Sequence, residues 1–82
     1  MKVKYVIREN GEVLHESKSY DHKGFAIMDA IREFLELVGL EGDGENEGRG
    51  SLVNCMDDMF NWLWNGYSYS YADLSVGLVE VA

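Results

Sequence analysis

The hydrophobic pattern of the chain changes period twice. Val3, Tyr5 and Ile7 alternate with Lys2, Lys4 and Arg8, which is the period of a half-buried strand. Asn10-Gly11 follows, the preferred pair for a type I′ hairpin turn because both central residues need positive φ. A second strand then runs from Val13 to about Ser19. With a plain two-residue turn, Ile7 faces Leu14 and Tyr5 faces Glu16; a bulge would change that register. From Phe25 the period lengthens. Ile27, Ile31, Phe34, Leu35 and Val38 fall on one face of an α-helix, with Asp29, Glu33 and Glu36 on the opposite face. Asp21 is placed to cap its start and Gly39 its end.

Residues 39–50 hold five glycines and four carboxylates, leave little to bury, and read as an acidic loop. Ser51 suits the N-cap of a second helix, whose core stripe is Leu52, Met56, Met59 and Leu63. Asn54, Asp57, Asp58, Asn61 and Asn65 make its wet face, and Trp62 and Trp64 fall near the borders. Gly66 ends it. Tyr67, Tyr69 and Tyr71 then alternate with serines, as an extension of the last strand or a loop leading into it. Leu74, Val76 and Leu78 alternate with Ser75, Gly77 and Val79 in a strand with apolar residues on both faces. The expected fold is a single α+β domain over residues 1–82, in the order ββααβ. Its parts are a hairpin at 2–19, a helix at about 22–38, the acidic Gly-rich loop at 39–50, a helix at about 51–65 and a C-terminal strand at about 72–81. A small antiparallel three-stranded sheet carries both helices on one face.

Composition narrows the function classes. The chain has 82 residues, 15 of them acidic and 7 basic, for a net charge of −8. A domain this small buries roughly 60–65% of its unfolded surface, so a deep substrate pocket is not expected. The charge argues against direct nucleic-acid binding, which needs Lys and Arg to displace counterions from phosphate, and against an anionic membrane surface. No apolar run approaches the roughly 20 residues that span a bilayer, and the start does not read as a signal peptide. One cysteine, Cys55, excludes an intramolecular disulfide. A cytoplasmic protein is expected, in a cell or in an infected host. The charge is also uneven: residues 1–24 hold five basic and four acidic side chains, whereas residues 25–82 hold two basic and eleven acidic ones.

The candidate chemistries are weak. Between two helices, Asp43, Glu45, Glu47 and Gly48 occupy the early positions of an EF-hand-like loop. Asn54 stands where a bidentate Glu is needed and Gly50 where an apolar residue belongs, so no calcium site is assigned. His15, His22 and Cys55 lack ligand spacing. Gly48-Arg49-Gly50-Ser51 before a helix offers backbone N–H groups to a phosphate, but carboxylates surround it and the Walker lysine is missing. No cofactor, metal or enzymatic activity is expected.

The surface carries more. Asp29, Glu33 and Glu36 form a row at helical spacing, joined by Asp57 and Asp58 on the second helix. An ordinary solvated helix face is the simpler meaning of such a row; a mimic of phosphates along a strand is the other. Trp62, Trp64, Tyr67, Tyr69 and Tyr71 lie within ten residues, too many for a small core to bury, so at least two are expected to stay exposed. The simpler reading is that Trp62 and Tyr69 close the edges of the core.

In size, in its charge of −8, in the lysine-bearing hairpin from Val3 to Ser19 and in the acidic helix with Asp29, Glu33 and Glu36, the chain resembles small acidic phage anti-CRISPR proteins. That resemblance implies stoichiometric inhibition of a CRISPR effector by obstruction of its DNA- or guide-binding surface. The expected function is thus a non-enzymatic, protein-binding inhibitor that docks an acidic and aromatic surface on a basic partner. Asp29, Glu33, Glu36, Asp57, Asp58, Trp64, Tyr67 and Tyr69 are its candidate contacts. The alternative is a small homo-oligomeric structural or regulatory module that pairs through its C-terminal strand.

Overall fold

The computed structural model describes residues 2–41 and 56–81. Strand β1 (Lys2–Glu9) turns back into β2 (Glu12–Glu16), helix α1 (Lys23–Glu41) follows, then helix α2 (Met56–Trp64) and strands β3 (Tyr69–Tyr71) and β4 (Leu74–Val81). The class is α+β, as expected, but the sheet has four antiparallel strands in the order β2-β1-β4-β3. The strand expected at 72–81 starts at Leu74, because Ala72 and Asp73 make a turn, with Ala72 at φ 54°, that folds the tyrosine stretch back as a separate strand.

The first turn forms as the Asn-Gly pair dictates, with Asn10 at φ 53° and Gly11 at φ 87°. Its register holds for only two pairs, Glu9 with Glu12 and Arg8 with Val13. A bulge then inserts Leu14, so Ile7 faces His15 and Val6 faces Glu16, which corrects the expected Ile7–Leu14 and Tyr5–Glu16 pairs. Beyond Glu16 the ladder stops. Ser17 and Tyr20 still tie to β1, through Ser17 N–H to the Tyr5 carbonyl at 3.0 Å and a reciprocal Val3–Tyr20 bridge at 3.0 and 2.7 Å.

Alternation then sorts the two faces of the sheet. Tyr5, Ile7, Leu74 and Val76 face the helices and join the core; Lys2, Lys4 and Arg8 face the other way, beside Ser75, Gly77 and Val79. The helical stripe Ile27, Ile31, Phe34, Leu35 and Val38 is buried throughout, and α2 adds Met59 and Leu63. Met56, expected in that core stripe, is instead 41% exposed; Leu52, its expected partner, lies outside the described residues.

Helix limits differ from expectation at both ends of α1. The first backbone bond runs from Ala26 N–H to the His22 carbonyl, so His22 takes the cap position, while Asp21 lies 3.8 Å from Lys2. At the other end the helix passes through Gly39 to Glu41. Glycine permits a left-handed stop without imposing one, and its cost inside a helix is only about 1 kcal/mol. Residues 39–41, assigned to the loop, are therefore helical, and the rest of that segment, 42–50, lies outside the described residues. The Ser51 cap, Cys55 and the EF-hand-like and phosphate-loop segments lie outside the described residues.

The end of α2 satisfies its last carbonyls one by one. Asn65 donates to the Asn61 carbonyl from its backbone N–H at 3.1 Å and from Nδ2 at 2.7 Å. Gly66, at φ 90°, donates to the Leu63 carbonyl at 3.2 Å and Tyr67 to the Trp62 carbonyl at 2.9 Å, the double bond of a Schellman motif. Lys23 Nζ donates to the Trp64 carbonyl.

Candidate functional site

The eight candidate contacts do not fall on one surface. Asp29 sits on the flank of α1 that faces β1 and the Tyr20 segment, and it is committed there. Tyr20 Oη donates to Asp29 Oδ2 at 2.7 Å, and Arg32 Nη2 donates to Oδ1 at 2.9 Å. Burial and this bond to Asp29 push the Tyr20 phenol up to about 12. The Tyr5 phenol is also raised, by burial first and then by the negative charges of Glu33 and Asp29. Tyr5 in turn has His15 at 5.8 Å and Tyr20 at 6.3 Å between ring centroids. Asp29 and the half-buried Glu33 thus belong to a polar and aromatic seam between helix and sheet, and only Glu36 of the row is well exposed.

Met28 and Ile31 lie on the other flank of α1, toward α2. With Met56, Asp57 and Phe60 they line an open trough of ≈ 190 Å³ between the two helices. Its continuation is apolar. Phe25 is 62% exposed, Met28 61% and Trp64 48%. Met56, Phe60 and Trp64 stand at i, i+4 and i+8, one stripe of α2, and the Phe60 and Trp64 rings stack at 5.9 Å with planes 13° apart. Lys23 Nζ lies 4.9 Å from the centroid of the Trp64 ring, which holds Trp64 between a cation and an aromatic neighbour. Asp57 and Asp58 are exposed on α2, and Asp57 also forms part of the trough wall.

Sequence periodicity left Phe25, Met28 and Phe60 out of the surface set. Their helical spacing from the core stripe carried the signal, but which flank meets α2 depends on how the helices pack. Trp62, Trp64 and Tyr67 stay exposed, in line with the expected excess of aromatics. Trp62, which the simpler reading puts at the edge of the core, is instead exposed. Its ring meets Tyr67 edge-on at 5.3 Å, the apolar contact that accompanies a Schellman cap. Tyr67 therefore has a structural task besides its exposure. Tyr69 is half-buried, faces α1 and packs edge-on to Phe34 at 6.4 Å, which places it under the helix layer instead of on the trough.

His15 and His22 are exposed and apart, and among the described residues no group of three or more His, Cys, Asp or Glu side chains is placed to hold a metal ion. No described helix is long and apolar enough to cross a membrane. Both layers carry charges of both signs, Arg32 and Lys23 on α1 and Glu16 beside Lys4 on the sheet. Lys2, Lys4 and Arg8 lie on the sheet face away from the helices, where Lys4 Nζ bonds Glu16 Oε1 at 2.5 Å and holds that carboxyl below the usual range. Glu36, Asp57 and Asp58 lie on the helix layer. Comparison of the chain with protein-family models, with curated protein sequences and with solved structures finds no match.

Proposed function

We propose that this protein is a non-enzymatic binding protein that docks the outer face of its helix layer on a basic site of a protein partner. One observation carries the reading: exposed Phe25, Met28, Met56 and Trp64 share that face with Asp57, Asp58 and Glu36, while Lys2, Lys4 and Arg8 lie on the opposite face of the sheet. Exposed Glu36, Asp57 and Asp58 beside an apolar centre, with the cations Lys23 and Arg32 turned to Trp64 and Asp29, suit a partner whose groove is positively charged, with charge steering the encounter and the apolar groups slowing release. A groove built to hold nucleic acid has that character. In its finer form, the proposal is inhibition of a host defence effector, such as a CRISPR complex, by occupation of its nucleic-acid site.

The test is capture of basic nucleic-acid-binding effectors by the full chain at low and high salt, with the double variant Asp57→Lys, Asp58→Lys as control. Both positions are exposed, so the variant should fold. Salt-sensitive capture that the variant loses supports the reading; capture of equal strength by both proteins would reject it.

A second reading, self-association through the C-terminal strand, has a narrower basis than its sequence suggested. Strand β4 is internal to the sheet, between β1 and β3. The β3 pairing ends at Val76, however, so Gly77–Val81 has no strand on that side among the described residues. Light scattering at rising concentration decides it, and a monomer throughout would exclude it.

A further inference from the structure

We infer that the trough between α1 and α2 receives a basic amphipathic helix of the partner; this rests on the reading of the helix layer as the docking face. Both walls of the trough are helices, which offer no strand edge. An extended segment would therefore find no ladder to join, and recognition falls to side chains. The walls have the form that a third helix fits. Met56 and Phe60 line the trough from α2, with Trp64 one turn further along the same stripe, and Met28 and Ile31 line it from α1, so apolar anchors one helical turn apart on the occupant can seat in the groove. The two exposed methionines adapt to such anchors, being unbranched and polarizable.

Charge selects the face that the occupant turns outward. Helix α2 carries Asp57 and Asp58 and no Lys or Arg between Met56 and Trp64. Of the cations on α1, Lys23 is engaged with the Trp64 carbonyl and ring, and Arg32, exposed, turns to Asp29 on the flank away from the trough. Asp57 stands in the trough wall, and with no cation on α2 the matching helix bears Lys or Arg beside its apolar stripe. An anionic bilayer, the other common target of an apolar helical face, is disfavoured by the same carboxylates.

The experiment uses the full chain and a labelled peptide of about 15 residues, long enough to hold some helix, with Leu at one-turn spacing and Lys on the flanks. A second peptide replaces each Lys by Glu. Binding is read by anisotropy and by methyl chemical shifts of Met28, Ile31 and Met56. The Lys peptide should bind and shift all three methyls; the Glu peptide should not. Met28→Asp and, separately, Met56→Asp should each weaken binding about tenfold or more, and circular dichroism checks that each variant is folded. Peptide binding that moves only the neighbourhood of Asp57 and Asp58 and survives both methionine variants overturns the trough and leaves charge docking standing. So does failure of the Lys peptide to bind while an effector is captured. Contacts from residues 42–55 or from a second copy that fill the trough in the free protein also overturn it. Peptide binding in the trough with no capture of any basic effector would instead overturn the functional reading alone.

Discussion

Lys23 and Trp64 join the start of α1 to the end of α2: the ammonium donates to the Trp64 carbonyl and lies 4.9 Å from the centroid of its indole. A cation at the first position of α1 opposes that helix's own dipole, yet it answers the negative end of α2. The interaction across helices thus outweighs the local preference. Lys23→Ala should destabilise the protein by about 1 kcal/mol, because a cation–π contact and a charge-assisted hydrogen bond are both lost, each weakened by solvent and partly offset by relief of the unfavourable charge at the start of α1. Urea unfolding measures the loss, and Trp fluorescence should shift to the red because Trp64 loses its cover.

The Tyr20–Asp29 bond predicts an alkaline transition. The folded phenol titrates near 12, above its ordinary value of 10, because burial and the Asp29 carboxylate disfavour the phenolate. Below pH 10 both folded and unfolded states hold the proton, and the stabilisation is complete. Between 10 and 12 only the folded state holds it, so stability falls as pH rises through that window. Absorbance titration of the phenols should show a late step near 12 for Tyr20, beside the raised Tyr5, and in Asp29→Asn the Tyr20 step should move toward 10. Tyr20→Phe should remove the late step and cost about 1 kcal/mol.

Core and trough should respond differently to truncation. Leu63 and Met59 are fully buried, and Leu63→Ala or Met59→Ala should cost about 2–5 kcal/mol. Met28→Ala and Met56→Ala, at exposed positions, should stay within about 0.5 kcal/mol in stability while weakening partner capture. Denaturation midpoints separate the two classes. Equal losses at Met28 and Leu63 would mean that the trough is part of the core.

Gly11 provides a test of backbone strain alone. At φ 87°, nothing lies within 4 Å of a Cβ built there, so Gly11→Ala meets no steric neighbour and pays only for the left-handed backbone. A loss of about 1–2 kcal/mol in a thermal melt is expected, with the hairpin register unchanged in amide spectra.

Much of this protein is written in local order. Period-two alternation places Val3, Tyr5 and Ile7 on one face, the Asn-Gly pair sets a turn with two positive φ angles, and the α1 stripe from Ile27 to Val38 is the buried one. Those features depend on residues within a few positions of one another, so the sequence by itself determines them. The α+β class and the excess of exposed aromatics were legible for the same reason. What the chain could not announce locally is what distant segments decide. The bulge at Leu14 sets the register of β2 against β1. The insertion of β4 between β1 and β3 makes an internal strand of what had looked like an edge. The acidic row is divided in the same way. Asp29 and Glu33 sit on the flank of α1 over Tyr5 and Tyr20, Asp57 and Asp58 stand across on α2, and the trough opens between Met28 and Phe60. Periodicity tells which residues share a helix face; only the packing of that helix against sheet and neighbour tells which part of the face meets water.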